Sequence, residues 1–136
     1  METPLELGDR ICHFLVQCGG AYHKLTPEIQ FNVFHALGSQ QYVLKEDADG
    51  IVYFASYWRV RPEDMVDVVD RIKPGDLKNG TVMYVSEAAS RGGMADMAEI
   101  VRRLRDQAVG LHGLFWHRPG KKDAIYYFPS QRGREA

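Results

Sequence analysis

Cysteines are scarce in this chain, and long apolar runs are missing. Only Cys12 and Cys18 occur in 136 residues. They lie six positions apart on one predicted helix, where a disulfide would strain the backbone. We therefore expect free, mostly packed thiols, as in a reducing compartment. No run of about 18 apolar residues exists, so no transmembrane helix is expected.

The chain also lacks an excess of either positive or negative charge. The formal net charge is -1, which removes the main electrostatic argument for nucleic-acid binding. A weaker possibility is binding through local basic residues, at the end of the last predicted helix (Arg102, Arg103 and Arg105) and in the tail (Arg132 and Arg134). The first six residues are acidic rather than basic and lack the apolar core of a signal peptide. We expect a cytoplasmic protein with no membrane partner.

What is present is typical of a globular protein, with 45% hydrophobic, 26% charged and 11% aromatic residues. The length predicts one domain over residues 1–128, followed by a loose polar tail at 129–136. Strand and helix patterns alternate in the order α-α-β-β-α-β-α-β-β. This order predicts an α/β (α+β) fold, a mixed sheet with helices on both faces.

Start signals and stop signals support the helices of this order. Thr3 and Glu6 form a capping box that begins the first helix, and Thr26-Pro27 begins the second, which Gly38 is expected to end. Strands are expected at 41–45, 51–58, 82–87, 111–117 and 124–128, and the other helices at 63–72 and 94–108.

Residues 82–104 read as a strand, a glycine-bearing turn and a helix. The first N–H groups of such a helix can hold an anion, above all a phosphate. The alternative is a plain connection, in which Gly92 and Gly93 only permit a tight turn. No metal site is expected, because His112 and His117 lack partners at ligand spacing.

The turn resembles the pyrophosphate loop of the GNAT acyltransferases, V-x-P-x-x-R-G-x-G-[IV]-[GA]. Residues 85–95 read V-S-E-A-A-S-R-G-G-M-A. Gly93, Met94 and Ala95 match the end of the motif, whereas Glu87 replaces its proline and Ser90 its arginine. The element order of residues 5–128 is similar to that of the same superfamily.

Within that superfamily the chain most resembles the lysine acyltransferases that activate RTX toxins such as haemolysin. The shared features are a histidine after the first helix, a Gln-Tyr strand, an aromatic second strand, an Asn-Gly turn and a compact closing strand pair. Here they are His23, Gln41-Tyr42, residues 53–58, Asn79-Gly80 and residues 116–128.

The resemblance implies a site and a reaction. His23 would be the base, Val85 to Glu87 would line a pantetheine arm, and phosphate would bind at Ser90, Arg91, Gly92, Gly93 and Met94. The donor would be acyl-CoA or acyl-carrier protein, and the acceptor an amine or a protein lysine. Tyr126 and Tyr127 could include an acid for the leaving thiolate, and a free edge of the closing strands could pair in a homodimer.

One departure concerns the central-strand aspartate of the toxin activators. An ungapped comparison puts Ser86 at that position, with Glu87 next. Strand alternation sends these two side chains to opposite faces, so we expect Glu87 to substitute only if a bulge re-aims it. A GNAT-shaped binding or assembly module without catalysis is therefore the alternative function.

Overall fold

The structure, a computed structural model, describes residues 1–19, 22, 24–60, 82–108 and 113–116. These residues form helices α1 (Pro4–Cys18), α2 (Pro27–Ser39) and α3 (Met94–Gln107), and strands β1 (Tyr42–Asp47), β2 (Gly50–Val60), β3 (Val82–Ser90) and β4 (Gly113–Trp116). A mixed α+β architecture, as expected, is confirmed at the level of fold class. The helix expected at 63–72 and the strand at 124–128 lie outside the described residues, as do His112, His117, Tyr126 and Tyr127.

Two compact units divide the chain. The first contains residues 1–56 and 87–102, and the second contains residues 57–86 and 103–136. The first unit holds α1, α2, the β1–β2 hairpin, the end of β3 and most of α3. The second holds the parallel pair of β3 and β4, whose register runs from Val82 with Gly113 to Val85 with Trp116. The expected parallel strand after α3 is thus confirmed.

Both N-terminal helices begin where the capping signals put them. Thr3 and Glu6 form the reciprocal capping box of α1, and the Thr26 hydroxyl accepts from the Ile29 N–H at 3.2 Å. The expected end of α2 was wrong by two residues. Gly38 stays helical, and Gln40 ends the helix in the left-handed conformation, with φ 59° and its N–H donating to the Ala36 carbonyl.

The β1–β2 hairpin turns tightly at Ala48 and Asp49. Asp47 pairs with Gly50 across the turn, and the Asp47 carboxylate accepts from the Asp49 N–H at 2.8 Å. Gly50 has φ 119°, which a side chain at this position would strain. The hairpin expected between residues 41 and 58 is confirmed, with β2 running on to Val60.

A bulge in the hairpin decides which side chains face the N-terminal helices. The register shifts after Lys45, so that Ile51 and Phe54 both join the core formed with α1 and α2. Tyr53 points the other way, and its hydroxyl donates to Glu99 of α3 at 2.6 Å. In the first unit, helices therefore lie on both faces of the hairpin.

Strand β3 is longer than the sequence pattern indicated. We expected the strand to end at Glu87, but it continues to Ser90. Beyond Glu87 the Ala88 N–H donates to the Tyr22 hydroxyl at 3.0 Å, and the Arg91 N–H donates to the Val52 carbonyl at 2.9 Å. These bonds keep Ala88 and Ala89 extended, although alanine has little preference for strands.

The core of the first unit joins α1 and α2 to one face of the sheet. Its buried members share an apolar character and come from both helices and from β2 and β3: Ile11, Cys12, Phe14, Leu15, Ile29, Val33, Ala36, Ile51, Phe54 and Ala89. The helices approach closely where Gly8 of α1 faces the Phe34 ring of α2. A Cβ atom built at Gly8 would overlap that ring.

We expect Gly8→Ala to destabilise the protein by about 1–3 kcal/mol, because the added methyl group overpacks this contact. Gly38→Ala is the matched control, since a Cβ atom there meets nothing within 4 Å. It should be neutral or stabilising by about 0.5 kcal/mol through helix propensity. Chemical denaturation of both variants measures the difference. Equal effects would contradict the close packing of α1 on α2.

Candidate functional site

Glu87 is a buried acidic residue on β3. Its relative exposure is 8%. Its carboxylate accepts a hydrogen bond from the Asn32 side chain of α2, with 2.8 Å between Nδ2 and Oε2. A buried carboxylate without hydrogen-bond partners would be costly in free energy. The bonds from Asn32 and Tyr22 therefore offset the cost of burying Glu87.

Tyr22 is the second partner of this carboxylate. It lies between α1 and α2, and its hydroxyl accepts from the Ala88 N–H at 3.0 Å. The same hydroxyl forms a side-chain hydrogen bond with Glu87. The phenol thus links the backbone of β3 to the carboxylate that β3 carries. We call Glu87, Tyr22 and Asn32 the Glu87 cluster.

Burial dominates the electrostatics of the cluster. It raises the pKa of Glu87, and the charge of Glu28 raises it further, while the hydrogen bonds from Asn32 and Tyr22 lower it. Burial also raises the pKa of Tyr22, and the neighbouring carboxylate adds to that shift. The tyrosine therefore keeps its proton, and Glu87 holds a proton to higher pH than an exposed glutamate does.

The Glu87 carboxylate points towards Asn32 of α2 and towards Tyr22, the residue before His23. Burial alternates along this part of β3, so the side chains of Ser86 and Glu87 lie on opposite faces, as strand alternation predicts. Ser86 is partly exposed on the alternate position. His23 itself lies outside the described residues.

The glycine turn follows β3 directly. Ser90 ends the strand, Gly93 has φ 82°, and α3 begins at Met94. The Ser90 hydroxyl accepts from the Gly92 N–H at 3.0 Å and donates to the Asp96 carboxylate at 2.8 Å. The strand, turn and helix of the sequence prediction are therefore present, with the turn confined to residues 91–93.

Asp96 places a negative charge beside this turn. A Cβ atom at Gly92 would overlap the Asp96 carboxylate, so a side chain there would have to displace Asp96 from the turn. An acid in the first turn of a helix is stabilised by the helix dipole and the early N–H groups. The negative charge of Asp96 would repel a phosphate bound at Gly92 and Gly93.

The Arg91 side chain is engaged with the hairpin and not with the turn to which its backbone belongs. Its guanidinium pairs with Asp47 at the end of β1, and it holds the pKa of that carboxyl below its usual range. Val85 is buried, while Ser90 is partly exposed and Arg91, Gly92 and Gly93 are exposed. The structure thus brings Ser90, Gly92 and Asp96 together and directs the charge of Arg91 to the hairpin.

Sequence reasoning missed Tyr22, Asn32 and Asp96. Tyr22 adjoins the histidine that the resemblance selected, which is a signal that could have drawn attention to it. Asn32 lies on α2 between inward-facing Ile29 and Val33 and carries no local signal. Asp96 stands at the third position of α3, a common place for a capping acid.

The comparisons with known proteins give no family for the chain. No protein-family model matches it, and no curated protein resembles it significantly.

The described residues show neither a cluster of metal-binding side chains nor a helix that could span a membrane. No group of three or more His, Cys, Asp or Glu side chains there could hold a metal ion. None of the helices in that part of the chain has the length and apolar character needed to cross a bilayer. Cys12 and Cys18 are free thiols. Cys12 is buried, whereas Cys18 is exposed, so the expectation of mostly packed thiols is right for Cys12 and wrong for Cys18.

The raised pKa of Glu87 predicts a pH-dependent stability. The folded protein keeps the proton where the unfolded chain has lost it, so the stabilisation is fully present below the unfolded pKa and is lost as pH rises through the folded pKa. Glu87→Gln keeps the shape and removes this titration. We expect its free energy of unfolding, relative to that of the natural protein, to rise as the pH increases from about 4, the ordinary range of a glutamate, towards neutrality.

Urea denaturation at several pH values measures this difference. Asp106→Asn, an exposed change on α3, is the matched control and should show little pH trend. A Glu87→Gln difference that stays constant with pH would show that Glu87 ionises like an exposed glutamate, and one that falls as pH rises would show that its pKa is lowered.

Proposed function

We propose that the chain is a GNAT-like N-acyltransferase that moves an acyl group from acyl-CoA or acyl-carrier protein to an amine, for example a protein lysine. The observation that carries the proposal is the Glu87 cluster, a buried carboxylate on the strand that leads into a glycine turn and a helix. The proposal also uses the strand, turn and helix that lead from β3 to its parallel partner β4.

The reaction needs a proton acceptor near the amine. The amine nitrogen attacks the thioester carbonyl carbon, the C–S bond breaks, an amide forms, and the thiolate leaves and takes up a proton. The ammonium form of the amine cannot attack, so its proton must be removed first. The chemistry as proposed uses the thioester donor and no metal.

Glu87 fits the role of proton acceptor better than an exposed acid does. Burial raises its pKa, which brings the carboxylate closer to the basicity that proton transfer near neutral pH requires. Asn32 and Tyr22 fix the carboxylate in place. In this proposal Glu87 supplies the carboxylate and works with His23, from the face of β3 opposite to Ser86, the position that corresponds to the aspartate of the toxin activators.

The donor would lie along β3 and the glycine turn. Backbone groups of Val85 to Glu87 would bind the pantetheine arm, and the turn from Ser90 through Arg91, Gly92 and Gly93 to Met94 would bind phosphate. A cytoplasmic location and a possible homodimer remain predictions of the same resemblance.

The test is acylation of lysine-containing proteins and small amines, with acetyl-CoA, longer acyl-CoAs and acyl-carrier protein as donors, followed by mass spectrometry. We expect Glu87→Gln to lower kcat by about 10²–10⁴-fold, because a proton acceptor contributes about that much. Asp106→Asn should keep full activity. Turnover by Glu87→Gln at the natural rate, or no turnover with any donor, would contradict the proposal.

A binding or assembly module without catalysis is the second candidate. Asp96 beside Gly92 favours it, because a fixed carboxylate at the turn opposes a phosphate there. The pairing of Arg91 with Asp47 favours it as well, since this guanidinium is already engaged.

Asp96→Asn separates the two candidates. If the turn binds the donor, removing the charge beside Gly92 should tighten coenzyme A binding about three- to tenfold. Isothermal titration calorimetry measures the change, and Asp106→Asn, at the far end of the same helix, should leave the affinity unchanged. Coenzyme A binding that is absent from both the natural protein and Asp96→Asn would favour the module.

A further inference from the structure

The two side-chain partners of Glu87 differ in what they can do with a proton. The Asn32 amide nitrogen donates to the carboxyl oxygen Oε2 at 2.8 Å, and an amide nitrogen donates but does not accept. The Tyr22 hydroxyl carries one proton and two acceptor positions. It can therefore donate to a carboxylate or accept from a protonated carboxyl.

The backbone of β3 occupies one of these acceptor positions. The Ala88 N–H donates to the Tyr22 hydroxyl at 3.0 Å, and a backbone N–H cannot reverse its bond. One acceptor position and the hydroxyl proton are left. The side-chain hydrogen bond between Tyr22 and Glu87 uses one of these two. Which of them it uses depends on whether Glu87 holds its proton.

Burial makes this dependence strict. Glu87 is 8% exposed, so water does not replace a lost hydrogen-bond partner without a cost in free energy. An ionised carboxylate only accepts, and the Tyr22 hydroxyl must then donate to it. A protonated carboxyl has an O–H group that needs an acceptor. Tyr22 offers that acceptor, whereas the Asn32 nitrogen does not.

The other titratable groups near Glu87 do not perform this exchange. Burial raises the pKa of Glu87, and the negative charge of Glu28 on α2 adds to the shift. Burial also raises the pKa of the Cys12 thiol on α1, so that this group stays protonated. Among the described residues no cation forms an ion pair with Glu87. His23 lies outside those residues.

We propose that Tyr22 is a positioning residue that reverses its hydrogen bond with Glu87 whenever the carboxyl gains or loses a proton. The hydroxyl donates to the carboxylate and accepts from the carboxylic acid, while the Ala88 N–H holds the phenol in place. Both protonation states then fit one arrangement of β3 and α2. The inference rests on the proposed function only for its use, because a proton acceptor takes up and releases a proton in every cycle.

The experiment is a nuclear magnetic resonance titration of the natural protein, labelled with ¹³C at tyrosine Cζ and at the glutamate carboxyl, with no acyl donor present. The Cζ signal responds to whether the phenol donates or accepts. We expect the Tyr22 signal to move with the midpoint of Glu87. The phenol itself stays protonated there, because burial raises the pKa of Tyr22. In Glu87→Gln the Tyr22 signal should stay constant over the same pH range.

Tyr53 is the matched control in the same unit. Its hydroxyl donates to Glu99 of α3 at 2.6 Å, and this bond holds the pKa of Glu99 below its usual range. The Tyr53 signal should therefore move at a lower pH than the Tyr22 signal, and Glu87→Gln should leave it unchanged. Tyr22→Phe and Tyr53→Phe assign the two signals.

Tyr22→Phe also removes the donor to the carboxylate. It should lower the acid dissociation constant of Glu87 about tenfold, as expected for one hydrogen bond to a buried charge, and Tyr53→Phe should leave that constant unchanged. The low-pH limb of kcat for acyl transfer should move to higher pH by the same amount in Tyr22→Phe. Thermal unfolding checks the fold of each variant, and the titration of the natural protein decides the matter if Tyr22→Phe does not fold.

A Tyr22 signal that stays constant through the Glu87 midpoint, or that still moves in Glu87→Gln, would overturn the inference. An unchanged Glu87 midpoint in folded Tyr22→Phe would overturn it as well. A Tyr22 signal that follows Glu87 in a protein without acyl transfer would keep the exchange and remove the enzyme. Acyl transfer by a protein whose Tyr22 signal stays constant would keep the enzyme and remove the exchange.

Discussion

Glu87 is a buried carboxyl group in the first unit, and a buried carboxyl group needs hydrogen-bond donors from the elements around it. The Asn32 amide comes from α2, and the Tyr22 hydroxyl comes from the segment before it. That hydroxyl also accepts from the backbone of β3 at Ala88. Through these hydrogen bonds Glu87 connects α2 and Tyr22 to β3. An apolar residue at the same position would not have needed these partners.

A second arrangement of charged groups, Asp96 and Arg91, lies at the end of β3. The glycine turn has the backbone that suits an anion, and the chain supplies its own anion there in Asp96. Arg91, the nearest cation, is turned to the hairpin. A phosphate at this turn would have to compete with the Asp96 carboxylate, and the Arg91 guanidinium would have to leave Asp47 to reach it.

Local signals in the sequence predicted the helix starts, the hairpin and the strand-turn-helix unit, because capping side chains and turn residues act over a few positions. They failed where long-range contacts decide. β3 runs past Glu87 because Tyr22 and Val52 bond its backbone, and neither residue is near it in sequence. Glycine at position 38 suggested a helix end that Gln40 provides instead. The partners of Glu87 could not be predicted, since Asn32 reaches it from another element and has no motif of its own.

The central claim is that Glu87 is an enclosed carboxyl with an elevated affinity for its proton. Nuclear magnetic resonance titration of the ¹³C-labelled Glu87 carboxyl, assigned by comparison with Glu87→Gln, measures this directly. The account predicts a midpoint above that of exposed glutamates in the same protein. A midpoint equal to or below theirs would show that the carboxyl is solvated or paired with a cation, and the proposed proton acceptor would be lost.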